Sequence, residues 1–427
     1  MHGLKRINSA VCINAKGLSA SQRKTSLRSN SSATRRCRKV PQCSLDENSE
    51  SNQLEPFKLE RWFAKYEFTA PYLLCCSDCE AMTLKELLAK ADEDSLSRWN
   101  NLALGYTESQ GLPELREEIA SMYTTVHADD VVVLVPEEGI YLSMLAILRP
   151  GDHVIVTYPG YQSLFEVARS MGCVIDKWEP TSTESGLRFE VDTLKGLVKP
   201  NTRLVVANFP HNPTGAMPSP EEWEEVVGLA AASGAYLFSD EMYRGLELDE
   251  ETRLPSGVDV YDKAITLCGL SKTYALPGLR LGWLATRCPE AMKRVLELKD
   301  YTTICSPATS EVLALMALRM RDQLAERNMA LIRSNLDYLD RFFAEHPDKF
   351  KWHRPQGSST AFPELVNGQS AAEFCQRLVD ESGILLMPAT TYDYEPDDGR
   401  QHFRIGFGRE NMTQVVDLLA ANLNQEK

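Results

Sequence analysis

Long hydrophobic runs are missing from these 427 residues. Apolar stretches such as Val131–Val135 and Leu204–Ala207 stop well short of the roughly 20 residues that a membrane-spanning helix needs, so no such segment is expected. Acidic side chains are missing from residues 1–45, which hold 10 Lys or Arg and no Asp or Glu. Residues 46–427 then carry 36 basic against 60 acidic side chains, so a net charge of -14 conceals a body at -24. So acidic a body repels phosphate backbones and anionic lipid, which argues against nucleic acid or a membrane surface as its main partner. Any phosphate it binds needs a local positive pocket.

Other absences narrow the field further. There is no internal repeat of 20–50 residues, which excludes solenoids and propellers, and no low-complexity stretch beyond the N-terminal segment. The 11 Cys are an odd count in a long chain, and three of them (Cys12, Cys37, Cys43) fall in the first 45 residues, which argues against a disulfide framework. Cys75-Cys-Ser-Asp-Cys79 has the look of half a metal site, but no second Cys/His pair at zinc spacing follows it, so these read as packed thiols and no metal is expected.

The first 45 residues also lack the apolar core of a secretory signal. They are rich in Ser, Thr and Arg (Ser26-Leu-Arg-Ser-Asn-Ser-Ser32, Arg35-Arg-Cys-Arg-Lys39), the composition of a disordered organellar transit peptide. The hydroxyl content and Val40-Pro-Gln-Cys43 favour a chloroplast over a mitochondrion. The alternative is a basic tail without an address, which would leave the protein in the cytoplasm.

Beyond residue 46 the chain has no clear period until about residue 92. A turn-rich piece, Gly105-Tyr-Thr-Glu-Ser-Gln-Gly111, precedes a helix that starts near Pro113 and is expected to bury Leu115, Ile119 and Met122. Strand candidates follow at Asp130–Val135, His153–Thr157, Arg203–Asn208, Ala235–Ser239 and Ala264–Cys268. Their Val, Ile and Leu runs lack polar alternation, which suits strands covered on both faces. Between two of them lies a well-marked helix, with Ser219 as N-cap, Pro220 in the first turn, Glu222 completing a capping box and Gly234 at the end. Strands alternating with helices imply an α/β fold with a parallel, doubly wound sheet. From about Ser310 the pattern becomes a long amphipathic helix, then short strands around Ser359–Pro363, Ile384–Met387 and His402–Phe407. We expect a large domain over 93–310 and a smaller α+β domain built from an N-terminal arm, 46–92, and the C-terminal part, 311–427.

In open parallel sheets ligands bind beyond the carboxyl ends of the strands. Three consecutive candidates carry polar signatures there: Phe209-Pro-His-Asn-Pro-Thr-Gly215, Asp240-Glu-Met-Tyr243, and Gly269-Leu-Ser-Lys272 running on to Arg280 and Gly282. A lone loop lysine is usually a solvated charge, and a lone Asp at a strand end is usually a helix cap. An amide, an acid with a phenol, and a lysine together suit one chemistry. The lysine condenses with an aldehyde cofactor, the acid holds a pyridine nitrogen protonated, and the donors face a phenolate oxygen.

Through Asn212-Pro-Thr-Gly215, Asp240-x-x-Tyr243 and Ser271-Lys272 with Arg280, the sequence resembles the class I/II aminotransferases of the fold-type-I pyridoxal phosphate enzymes over most of residues 60–420. The resemblance implies a mostly parallel, seven-stranded-type sheet and the cofactor pyridoxal 5'-phosphate. It implies Lys272 as the Schiff-base lysine and proton carrier, with Asp240 on the pyridine nitrogen. Tyr243 and Asn212 would face the phenolate oxygen, and Ser271 and Arg280 the phosphate, for which a planar guanidinium is well shaped. Tyr161, in Tyr158-Pro-Gly-Tyr-Gln162, would stack on the ring. Tyr106 would reach the phosphate of a partner subunit, which implies a homodimer with shared active sites. Arg404, in His402-Phe-Arg-Ile-Gly-Phe407, would grip the substrate α-carboxylate beside Asn212, while Gly406-Phe-Gly408 reads as turn and strand geometry.

Two positions depart from the usual family pattern. Gly269 stands where a phosphate-binding Ser is common, and the phosphate-cup segment reads Val135-Pro-Glu-Glu-Gly139, where Glu137 would be unfavourable beside a dianion unless it points away. The implied reaction is transamination between an amino acid and a 2-oxo acid. Tyr66-Glu-Phe-Thr-Ala-Pro-Tyr72, Ser77-Asp-Cys-Glu80 and Gly105-Tyr-Thr-Glu-Ser109 resemble a subgroup that includes capreomycidine-synthase-like enzymes, so a lyase or cyclase acting on a substituted amino acid is the alternative. A non-catalytic regulator of the same fold is the third reading, and the intact Lys272, Asp240 and Arg404 argue against it. The side-chain pocket is open, with Ala70, Pro71 and Tyr392 as candidate walls.

Overall fold

The computed structural model describes residues 53–183, 186–396 and 398–425; the segment read as a transit peptide lies outside them. Seven strands form the central sheet: β1 (Val131–Leu134), β2 (His153–Thr157), β3 (Val174–Trp178), β4 (Thr202–Asn208), β5 (Tyr236–Asp240), β6 (Ala264–Gly269) and β7 (Gly282–Ala285). Their order is β1-β7-β6-β5-β4-β2-β3, and only β7 runs against its neighbours. The expected α/β, mostly parallel, doubly wound sheet is therefore present.

The unbroken apolar runs follow from two buried faces. In β1, Val132 and Leu134 pack with Ile140, Leu142 and Ile265 on one side, while Val131 and Val133 pack with Leu115, Ile119 and Trp283 on the other. β3 and β7 were not legible in this way. β3 is the sheet edge, where Asp176 and the exposed Lys177 interrupt the apolar run. β7 has only four residues and opens with Gly282.

Three helices matter for the site: α1 (Lys58–Tyr66), α2 (Pro136–Ile147) and α3 (Pro220–Ser233). α3 has the caps its sequence signals. Ser219 Oγ accepts from Glu222 N at 3.2 Å, Glu222 Oε2 accepts from Ser219 N at 2.7 Å, and Gly234 takes the left-handed conformation at φ 71. The helix from Pro113 stops at Ala120, because Met122 N turns back to Ile119 O at 3.0 Å; Met122 thus lies beyond it and is half-buried. The long helix expected from Ser310 is two, Ala308–Arg319 and Arg321–Glu345, broken where Met320 leaves helical geometry at φ -117.

A second, antiparallel sheet centres on β8 (Gln401–Gly406), which pairs with Thr360–Ala361, Glu364–Leu365 and Met387–Pro388. Chain from the other end joins this region, since Tyr72–Leu73 pairs in parallel with Ile384–Leu385. The described residues form one compact unit. Packing continues across residues 92 and 310, since Leu87 and Leu313–Leu318 share a core cluster with Val131 and Trp283. Among the described residues no helix is long and apolar enough to cross a membrane.

Candidate active site

The ends of β4 and β5 lie side by side, with Asn208 opposite Asp240 in the ladder, and β6 ends one strand further on. The loops beyond them open into a cavity of about 400 Å³, whose wall includes Asn208, Asn212, Asp240, Tyr243, Ser271, Lys272, Arg280, Tyr161 and Arg404. Eight of the nine residues singled out from the sequence therefore meet in one place. The ninth, Tyr106, is 95 % exposed and stands outside the cavity of its own chain.

Asp240 terminates β5 with its carboxyl buried; Oδ1 accepts from Met242 N at 3.1 Å, and its carbonyl accepts from Asn208 Nδ2 at 3.1 Å. Burial raises the carboxyl to about 7. A cationic ring nitrogen placed against it would offset that cost. Asn208 was not anticipated, although its place at a strand end was a signal. Its Oδ1 accepts from Asn212 N at 2.9 Å, tying the Asn212 loop to the end of β5.

Lys272 Nζ donates to Ser77 Oγ at 2.8 Å and lies 5.9 Å from the centre of the Tyr243 ring. Burial lowers the amine from the ordinary lysine value, which favours a neutral nucleophile. The same burial pushes the Tyr243 phenol up to about 12, against the pull of Arg404. Gly269 has a packing reason: a Cβ there would stand 3.2 Å from both Gly282 Cα and Pro136 Cγ. Little room is left at that place for a phosphate-binding Ser.

Arg280 sits in the left-handed conformation at φ 50, and its Nη1 donates to Pro277 O at 3.1 Å. With Lys272 and Arg404 it gives the cavity local positive charge within an acidic body. The segment Val135–Gly139, expected as a phosphate cup, is the start of α2, where Pro136 offers no N–H. Glu137 lies on the cavity wall near Tyr161; burial raises its carboxyl, eased by the hydroxyls of Ser163 and Tyr161.

Arg404, on β8, is 1 % exposed. Its Nε donates to Cys75 O at 3.0 Å, and Nη1 donates to the Tyr392 hydroxyl at 2.6 Å and to Asn212 Oδ1 at 3.3 Å. Nη2 is buried with no hydrogen-bond partner. A guanidinium held on two nitrogens and unsatisfied on the third is set to receive an anion. Tyr392 thus stands behind the arginine rather than on the wall, and Ala70 and Pro71 do not line the cavity.

The N-terminal arm contributes Glu60, Phe63, Glu67, Cys76, Ser77 and Asp78 to the wall. None of these was anticipated as a site residue, because the arm has no period and its placement depends on contact with a distant strand. Gly406 and Gly408 make that contact: a Cβ on Gly406 would lie 1.9 Å from Cys76 O, and one on Gly408 would lie 2.7 Å from Asp78 O. Beyond turn and strand geometry, these glycines permit close approach. Gly406 N bonds to Leu74 O and Glu80 N to Gly408 O, both at 2.8 Å. Cys75, Cys76 and Cys79 are free and buried, and no metal-type cluster of three or more ligands occurs among the described residues.

A half-buried lysine, a buried acid at the next strand end, a phenol with an amide, and arginines for two anions define a donor set that fits a pyridoxal phosphate enzyme of fold type I. The chain belongs to the aminotransferase class I and II family, whose model matches residues 72–419. It is 32% identical over 270 residues to capreomycidine synthase of Streptomyces vinaceus, covering 63% of this chain and 67% of that protein. A solved PLP-dependent aminotransferase from Streptococcus suis superposes with a TM-score of 0.80 and 32% identity, covering 87% of this chain and 98% of that one. The PLP-dependent cyclase OrfR superposes with a TM-score of 0.79 and 28% identity, covering 88% and 98%.

Proposed function

We propose that this aminotransferase uses pyridoxal 5'-phosphate to move an amino group between an amino acid and a 2-oxo acid, with Lys272 as the residue that binds the cofactor and carries the proton. The observation that carries the reading is the convergence on one cavity of Lys272, Asp240 and Arg404, whose Nη2 has no hydrogen-bond partner. When bound, the cofactor supplies an aldehyde for the incoming amine and a ring that accepts electrons from the α-carbon.

Arg404 Nη2 takes one oxygen of the substrate α-carboxylate and so fixes the α-carbon near the Lys272 amine. Lys272 Nζ, its proton affinity lowered by burial, would take the α-proton and, with the cofactor bound, would hand it to the cofactor's aldehyde carbon. Asp240 would hold the ring nitrogen protonated by its charge. The Tyr243 hydroxyl and the Asn212 side-chain amide would face the phenolate oxygen, Tyr161 would cover one ring face, and Arg280 with Ser271 would hold the phosphate.

A homodimer fits the exposed surface. Leu104, Tyr106, Tyr301 and Ile304 are all more than half exposed. Their loops are tied together by Thr107 Oγ1 to Ser306 O and Ser109 Oγ to Ile304 O, each 2.8 Å. A second copy on this patch would bury it and bring Tyr106 to the partner's phosphate. Residues 1–45 would address the protein to an organelle, the chloroplast above the mitochondrion.

The second reading, a lyase or cyclase, draws support from similarity to capreomycidine synthase and to OrfR. The absorbance spectrum of cofactor-loaded protein separates the two as single amino acids are added without an oxo-acid acceptor. Conversion of the cofactor to its amine form, abolished in Lys272→Ala, is the expected result. Accumulation of ammonia or a cyclised product without that conversion would replace transamination by the second reading.

A further inference from the structure

The cavity wall holds more negative charge than the family chemistry uses. Its cations are accounted for above by the aldehyde, the phosphate and the α-carboxylate. Among its acids, Asp240 has the ring nitrogen, and Asp78 is paired with Arg409 at 2.9 Å. Glu60, Glu67 and Glu137 remain, and none of them forms an ion pair with a cation among the described residues.

Their placement is not scattered. Glu60, Phe63 and Glu67 recur at intervals of three and four along α1 and its C-cap, one face of a single helix turned to the cavity. The Phe63 ring lies 5.8 Å from the Arg404 guanidinium, so this face covers the α-carboxylate clamp, with one glutamate a turn before the contact and one a turn after. Glu137 joins them through Tyr161, whose hydroxyl donates to Glu60 Oε1 at 3.2 Å and also eases the burial of Glu137. Burial raises both Glu67 and Glu137, and the neighbouring Glu60 adds to this at each, against a weaker pull from Arg409 and Lys272 on Glu67 and from Arg280 on Glu137.

We propose that the donor amino acid carries a cationic side chain, a guanidinium or an ammonium, received by Glu60, Glu67 and Glu137. The inference rests on the transaminase reading for the position of the α-carboxylate, but it concerns only the side chain. A cation entering among the three glutamates gives them the ion-pair partner they lack and forms charge-assisted hydrogen bonds. A donor with a distal carboxylate meets three like charges and is rejected.

The test uses cofactor-loaded protein and carboxylic acids that lack an amine and cannot react. Calorimetric titration with 5-guanidinopentanoate, hexanoate and glutarate should give the tightest binding for the guanidino acid, about tenfold beyond hexanoate, with glutarate weakest. Glu60→Gln and Glu67→Gln should each weaken the guanidino acid several-fold and leave hexanoate unchanged, which also shows that the variants are folded. Undetectable binding of the guanidino acid, equal or tighter binding of glutarate, or variants without effect would overturn the proposal. A parallel spectral test with L-arginine, L-ornithine, L-aspartate and L-phenylalanine keeps the two readings apart. Reaction with aspartate in preference to the basic donors sinks the cationic pocket and leaves transamination standing. Selective binding of the guanidino acid with no conversion by any amino acid does the reverse.

Discussion

Tyr392 and Arg404 are joined by a 2.6 Å hydrogen bond in which the phenol oxygen accepts from Nη1, while the phenol's own proton points to Asn212 Oδ1 at 3.2 Å. Arg404, Asn212 and Tyr392 are therefore one hydrogen-bonded unit, in which the proposed carboxylate clamp is aimed from behind by a tyrosine that does not line the cavity. Tyr392→Phe should raise KM for amino donors about fivefold, equivalent to roughly 1 kcal/mol, with kcat little changed. Steady-state kinetics with one donor at several concentrations would show it. A fall in kcat at constant KM would mean that Tyr392 acts on the chemistry instead.

Asp240 makes the cofactor-free protein pH-sensitive. Its carboxyl titrates near 4 in the unfolded chain and at about 7 in the fold, so the folded state favours the protonated form. The stability gained from that form is complete below the unfolded value and is lost as pH rises through about 7. Melting temperatures measured at about pH 5 and about pH 8 should fall more for the cofactor-free wild type than for Asp240→Asn, a differential of a few kcal/mol. Adding the cofactor should restore more stability to the wild type at the higher pH. Parallel curves for the two proteins would show that the acid does not titrate in this range.

Ser77 is the sole hydrogen-bond acceptor described for the Lys272 amine, and it also neighbours the Tyr243 phenol. Ser77→Ala frees the amine to wander and should slow α-proton transfer by up to about tenfold. An α-deuterated donor separates this effect from binding. The isotope effect on kcat should rise while the dissociation constant of a non-reactive carboxylic acid stays constant. Weaker binding with an unchanged isotope effect would make Ser77 a substrate contact rather than a positioning residue.

Gly406 allows β8 to run against the Leu74–Ser77 backbone, and a methyl there meets the Cys76 carbonyl at 1.9 Å. Gly406→Ala should cost about 1–3 kcal/mol or more and lower Tm by several degrees, since backbone on both sides leaves little room to relax. Activity should fall further than stability explains, because the same contact aligns Ser77 with Arg404. A variant as stable and as active as the wild type would show that the two chains can part without consequence.

The sequence was most legible where physics is local. α3 and its caps, five of the seven strands and the residues just past β4, β5 and β6 follow from periodicity, capping chemistry and the strand-end rule. Legibility failed where neighbours decide. β3 survives as an edge strand despite its exposed Lys177, and β7 exists because β1 and β6 offer it ladders on both sides. Glu60, Glu67 and Ser77 carried no signal of their own; they reach the cavity because the arm is laid against β8, more than 300 residues away in the chain.

One consequence follows from β7 running backwards. Gly269 faces Gly282 in the β6–β7 ladder, so the loop bearing Lys272 and Arg280 leaves and re-enters the sheet at one point and is closed like a purse by three further residue pairs, Cys268 with Trp283, Leu267 with Leu284 and Thr266 with Ala285. β6 is also paired to β5, and β7 to β1. A protease that cut inside this loop would leave both fragments stitched into the same sheet. The nicked protein would lose its chemistry yet still travel as one particle through a sizing column, and only denaturation would reveal two pieces.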